Sequence, residues 1–133
     1  MKIFISYRFT GENLSELKSI LGKINEILKS KGHDIFCSLN EEEYFKSRKL
    51  TVDEIYEYCN QKLEEYDTIL FFIKSEEKSK GMEMELEKAI KHNKRIIVAI
   101  KKNIYFSRFC ENAHEIIKYT DLENLYALLS KRD

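Results

Sequence analysis

Two continuous apolar runs dominate the hydrophobic pattern of this chain: Thr68-Ile69-Leu70-Phe71-Phe72-Ile73 and Ile96-Ile97-Val98-Ala99-Ile100. Neither alternates with polar residues, and both are rich in β-branched and aromatic side chains. Strands covered on both faces read this way, as in a parallel sheet sandwiched by helices. Between them the pattern changes. Ser79-Lys80-Gly81 punctuates a polar loop, and Met82, Leu86, Ala89 and Ile90 then recur at helical spacing over Met82 to Lys91. The stretch from Asp67 to Ile100 is therefore predicted to be a right-handed βαβ crossover. Such sheets bind ligands at the carboxyl ends of their strands, which is where the loop Lys74 to Gly81 and the start of the helix fall.

The remaining pattern extends the same theme. Lys2 to Ser6 is a short apolar strand that runs into the loop Tyr7-Arg8-Phe9-Thr10-Gly11-Glu12. Leu14, Leu17, Ile20, Leu21, Ile24, Ile27 and Leu28 mark a long amphipathic helix, which Lys31-Gly32 ends. A second strand follows over His33 to Ser38. Asn40 to Lys49 is polar and holds the acidic run Glu41-Glu42-Glu43, so it reads either as a solvated loop or as a lid carrying Tyr44 and Phe45 across a site. Thr51 and Glu54 have capping-box spacing for a helix with Val52, Ile55, Cys59 and Leu63 facing inward. Beyond Ile100 come an aromatic segment, Tyr105 to Phe109, and a last strand, His114 to Tyr119. Asp121 then caps a helix whose inner face carries Leu122, Leu125, Leu128 and Leu129. Five strands alternating with helices predict an α/β, flavodoxin-like three-layer sandwich with a five-stranded parallel sheet, one domain spanning residues 1–133.

Composition narrows the functions open to such a fold. Lysine plus arginine (23) equals aspartate plus glutamate (23), so no overall basic field is available to hold nucleic acid or an anionic membrane. Any anionic ligand has to be held locally. Cys37, Cys59 and Cys110 lie far apart without metal-ligand spacing, and His33, His92 and His114 form no HxxxH-type pair. Reduced thiols in a cytoplasmic protein are expected, with no metal. No segment approaches the length of a membrane span, and a chain opening directly on a strand leaves no room for a signal peptide.

Candidate chemistry gathers on two loops. In the first, Arg8 has the geometry to grip a phosphate or carboxylate, with Ser6 or Thr10 adding hydroxyls. The loop is neither a Walker A nor a GxGxxG sequence. In the second, Glu83 and Glu85 each fall about 80° from the centre of the helical apolar stripe, on opposite sides of it. Both border the buried face near the helix start, where the dipole favours an ionised carboxylate. Such a group suits a nucleophile or a stabiliser of positive charge, although first-turn glutamates also serve simply to start helices.

These stretches together resemble the nucleoside 2-deoxyribosyltransferase superfamily, and most closely its 2'-deoxynucleoside 5'-phosphate N-hydrolases. The residues carrying the resemblance are Ser6-Tyr7-Arg8, Asp67 at the third strand, Ser79-Lys80-Gly81-Met82-Glu83-Met84-Glu85-Leu86 through Ala89, and Asn93-Lys94-Arg95-Ile96. The family pattern S-x-G-x-x-x-E-L-x-x-A implies that Glu85 is the catalytic glutamate and that Ser79 and Gly81 bind phosphate, with Ser6 and Arg8 on the early loop. The family's aspartate, eight residues before Asp67, has Cys59 in its place, beside Asn60. Its early tyrosine has Lys2 in its place, and Tyr7 is the phenol available nearby. The same residues also resemble Toll/interleukin-1 receptor (TIR) domains, through Phe4 to Arg8 and through Ser79 to Leu86. Gly81 and Met82 occupy the Trp and Cys positions of their S-x-W-C-x-x-E-L pattern. TIR domains cleave NAD with the glutamate matching Glu85, or serve as assembly modules. The first resemblance implies cleavage of an N-glycosidic bond in a small nucleotide or nucleoside, with Glu85 as nucleophile. It implies no cofactor, no nucleic-acid or membrane partner, and a homodimer, with Tyr105 to Phe109 as its expected contact.

Overall fold

The computed structural model of the protein describes residues 1–9 and 11–132; Thr10, a hydroxyl expected on the first loop, lies outside the described residues. Five strands form one sheet: β1 (Lys2–Tyr7), β2 (Asp34–Cys37), β3 (Thr68–Ile73), β4 (Arg95–Lys101) and β5 (Glu115–Tyr119). Their order is β2-β1-β3-β4-β5, and every pairing is parallel. The unbroken apolar run of β3 explains its central place, because all six of its residues are buried. Register places Ile5 beside Leu70 and Leu70 beside Ile97, so branched side chains line up across the sheet.

Helices cover both faces. On one, α1 (Leu14–Ser30) and α6 (Leu122–Lys131) bury Leu17, Ile20, Leu21, Ile24, Leu125 and Leu129 against Ile3, Ile5, Leu70, Phe72 and Ile97. On the other, α3 (Val52–Glu64), α4 (Lys80–Lys91) and α5 (Ser107–Glu111) cover Phe4, Ile69, Phe71, Ile96 and Val98. This is the three-layer, flavodoxin-like arrangement, and its strand order puts the switch point between β1 and β3. Chain directions diverge there, and a crevice opens at the carboxyl ends of the two strands.

Four local expectations change. Asn40 to Lys49 is neither an open loop nor a detached lid. A 3-10 turn, Ser38–Glu41, leads into a short helix, α2 (Glu42–Ser47), which buries Phe45 against Tyr58 of α3 with ring centroids 5.4 Å apart. Val52, expected inward, is 65% exposed. As the first residue of α3, it precedes the turn that meets the sheet. The crossover helix begins at Lys80 rather than Met82, since Ser79 is its cap and accepts from the Met82 amide at 3.3 Å. In the aromatic segment, Phe109 packs into the core on Phe71 at 4.9 Å, while Tyr105 stays exposed.

Candidate active site

The crevice at the switch point is a cleft of about 540 Å³. β1 sends Ser6 and Tyr7 into it, α3 contributes Ile55, Tyr56, Cys59 and Asn60, and the amino end of α4 supplies Gly81, Met84 and Glu85 with the capping Ser79. The α2 segment closes the remaining side with Phe45, Lys46, Lys49 and Leu50. A cleft of this volume with mostly apolar walls and a few convergent polar groups is the usual form of a small-molecule site.

Glu85 occupies the centre of the chemistry. As the sixth residue of α4, it lies in the second helical turn, too deep for the expected help from the dipole. Its side chain keeps only part of its surface open, and its carboxyl is ringed by protein atoms. Burial pushes its pKa up to about 7, although a hydrogen bond donated by Ser6 Oγ to Oε1 at 2.6 Å opposes the rise. The expectation of a carboxylate held ionised is thus corrected: desolvation outweighs the helix end, and Glu85 exchanges its proton near neutrality. Ser6, 1% exposed, uses its hydroxyl on Glu85.

Beside this carboxyl a thiol and a phenol are kept neutral. Cys59 is buried, and burial, followed by the negative charge of Glu85, pushes its thiol up to about 12. Burial chiefly, with Cys37 next, raises Tyr7 well above the ordinary phenol range, and its hydroxyl shares a 2.5 Å hydrogen bond with Ser38 Oγ. Beside the Glu85 carboxyl, which titrates near pH 7, the cleft therefore holds the Tyr7 phenol and the Cys59 thiol in their protonated forms. Helices α3 and α4, which bring them together, are tied by Lys88. Its Nζ donates to the Asn60 carbonyl at 2.8 Å and pairs with Glu64 at 3.1 Å.

Seven of the residues singled out in the sequence meet in this cleft: Ser6, Tyr7, Cys59, Asn60, Ser79, Gly81 and Glu85. Arg8 lines a neighbouring depression of about 280 Å³ on the other side of Ser79. There it pairs with Glu12 and, at 3.3 Å, with Glu77. Glu83 is exposed and lines that same depression, so it does not share the cleft with Glu85. Phe45, expected across a site if its segment were a lid, also lines the cleft, whereas Tyr56, Lys46 and Lys49 were not singled out in the sequence. The one available signal was the aromatic pair Tyr44-Phe45 inside an otherwise polar run. Among the described residues no group of three or more His, Cys, Asp or Glu side chains is placed to hold a metal ion. No described helix is long and apolar enough to cross a membrane.

The architecture has counterparts among solved structures. The Clostridium botulinum CMP N-glycosidase BcmB superposes with a TM-score of 0.70 at 15% sequence identity, over 97% of this chain and 97% of that one. A 2-deoxyribosyltransferase from the psychrotolerant bacterium Bacillus psychrosaccharolyticus also gives 0.70 at 15% identity, over 100% of this chain and 93% of the other. At such identity the likeness is one of fold. No protein-family profile and no curated protein matches the sequence.

Proposed function

We propose that the protein is an N-glycosidase that cleaves the bond between base and sugar in small nucleotides or nucleosides, with Glu85 as the nucleophile. The observation carrying this reading is the Glu85 carboxyl itself, held by Ser6 at 2.6 Å in the cleft at the switch point and titrating near pH 7. Breaking an N-glycosidic bond develops positive charge at the sugar C1'. Ionised Glu85 attacks C1', the C1'–N bond breaks, and its electron pair leaves with the base. Water then hydrolyses the sugar–Glu85 ester, frees the sugar and restores the carboxyl. With a free base as acceptor in place of water, its ring nitrogen attacks C1' of the same ester, a new C1'–N bond forms as the bond to Glu85 breaks, and deoxyribose is transferred between bases.

The departing base needs a proton. Tyr7 is the candidate on this chain: it lines the cleft and burial keeps its phenol protonated, which suits it to hydrogen-bond the departing base rather than to act as a strong acid. Cys59 also stays protonated, but a thiol is a weak donor. Ser79 and the Gly81 amide, at the positive end of α4, are placed to meet a phosphate or a sugar hydroxyl. Phe45, Leu50 and Tyr56 offer apolar walls for a planar base. Pairing of two copies through Tyr105, 64% exposed, belongs to the same reading.

One observation favours a second reading. Cys59, rather than a second carboxyl, faces Glu85, as expected of a nucleotide-binding module that has lost its acid. Two experiments separate the readings. Incubation with a panel of deoxynucleotides, ribonucleotides, nucleosides and NAD, with chromatography for free base, should yield base from at least one nucleotide or nucleoside. Release from NAD alone points instead to the TIR-like chemistry, and binding without release to the module. Cys59→Asp adds a carboxyl beside Glu85, and general acid help of this kind is worth about 10²–10⁴ in rate. A gain of that size over a slow parent identifies a site short of an acid. Brisk parent activity that Cys59→Asp does not raise, lost in Tyr7→Phe, assigns the proton to Tyr7.

A further inference from the structure

Among the described residues, three helices end in the same way, with a residue in the left-handed backbone region just past the last turn. Gly32 does so after α1 (φ 88°) and Asn93 after α4 (φ 54°). Glycine and asparagine are the residues that accept this conformation most readily. After α2 the position is held by Lys49 (φ 52°). The Lys49 amide donates to the Lys46 carbonyl and the Leu50 amide to the Phe45 carbonyl, both at 3.1 Å, which locks the lysine in place. A lysine gains nothing for the turn there, and local strain of this sort concentrates at functional positions.

Lys49 also lines the cleft, and its charge is unspent. Lys46 pairs with Glu42 at 3.0 Å, and Glu42 pairs in turn with Lys18 at 2.7 Å. Arg8, the cation expected from the sequence, is held by Glu12 and Glu77 outside the cleft. Among the described residues no side chain pairs with Lys49, and of the cleft carboxyls Glu42 is already neutralised while Glu85 titrates near pH 7. We infer that Lys49 reads the anionic end of the substrate, the 5'-phosphate, and makes the site select nucleotides over nucleosides. This rests on the proposed N-glycosidase reading for the identity of the ligand, but concerns binding rather than cleavage.

The test is calorimetric binding in a Glu85→Gln background, which prevents turnover. The ligands are the 5'-monophosphates of cytidine, deoxycytidine, deoxyadenosine and deoxyguanosine, each against its parent nucleoside. At least one monophosphate should bind about tenfold tighter than its nucleoside, as one charge-assisted contact provides. Lys49→Gly should bring that ratio close to one with a melting temperature no lower than the parent's, since glycine suits the backbone. Lys49→Arg should keep the ratio. A ratio that survives Lys49→Gly, or its absence from the parent, overturns the inference. Base release by the chain with Glu85 intact keeps the two proposals apart. Release with a ratio insensitive to Lys49 refutes the role of Lys49 alone. A Lys49-dependent ratio without release refutes the glycosidase reading alone. Binding of no monophosphate overturns the role of Lys49, and base release by the intact chain then decides the glycosidase reading by itself.

Discussion

At the scale of single residues, the protein turns on the surroundings of one carboxyl. Glu85 was legible because its motif spacing and its place beside an apolar stripe stand in the local sequence. Its proton affinity was not, because the groups that set it come from elsewhere in the chain. Ser6 is 79 residues away, and the cleft around the carboxyl is lined from β1, α3 and the α2 segment. The sign of the consequence is definite. A carboxyl raised from 4.5 to about 7 contributes stability that is fully present below about pH 4.5 and lost as pH rises through 7, on the order of 3 kcal/mol in all. Base release, which needs the ionised form, should rise over the same interval as kcat/KM is followed upward through pH 7. The Ser6 hydrogen bond lowers the Glu85 pKa, so Ser6→Ala should move that midpoint to higher pH and cut the rate most at neutral pH. Ser6→Thr should move it back. A midpoint unmoved in Ser6→Ala would remove Ser6 from the control of Glu85.

Among the elements, those with strong periodicity were the readable ones. The apolar runs of β3 and β4, the long stripe of α1 and the Thr51–Glu54 capping box all state their structure within a short local stretch, and all form as expected. The α2 segment did not declare itself, because a six-residue helix is too short to show a period and four of its six residues are polar or charged. What holds it is tertiary: Tyr44 and Phe45 pack on Tyr58 at 5.5 and 5.4 Å. This small helix forms one wall of the cleft, so Phe45→Ala should act on site and stability together. Loss of so large a buried ring costs about 3 kcal/mol, and KM should rise with little change in kcat. A variant that melts lower but keeps the parent's KM would show that α2 supports the fold without shaping the site.

For the whole molecule, topology decides where chemistry can happen. The order β2-β1-β3-β4-β5 places the carboxyl ends of β1 and β3 side by side, and the cleft, Glu85 and the capped end of α4 all lie there. That end of the sheet was predictable from the βαβ pattern alone. The division into two depressions on either side of Ser79 was not, since it depends on Arg8 folding back onto Glu12 and Glu77. The central claim is that the Glu85 carboxylate in this cleft breaks an N-glycosidic bond. Its most direct test is the rate of free-base release at about pH 8 by the parent and by Glu85→Gln, on the best substrate of the panel. Circular dichroism and melting confirm the fold of both, with the variant expected to melt higher at that pH because it has no buried charge. The parent should release base, and the variant should lose at least about a thousandfold of that rate. Equal rates in the two proteins, or no base released by the parent from any nucleotide or nucleoside, would contradict the central claim.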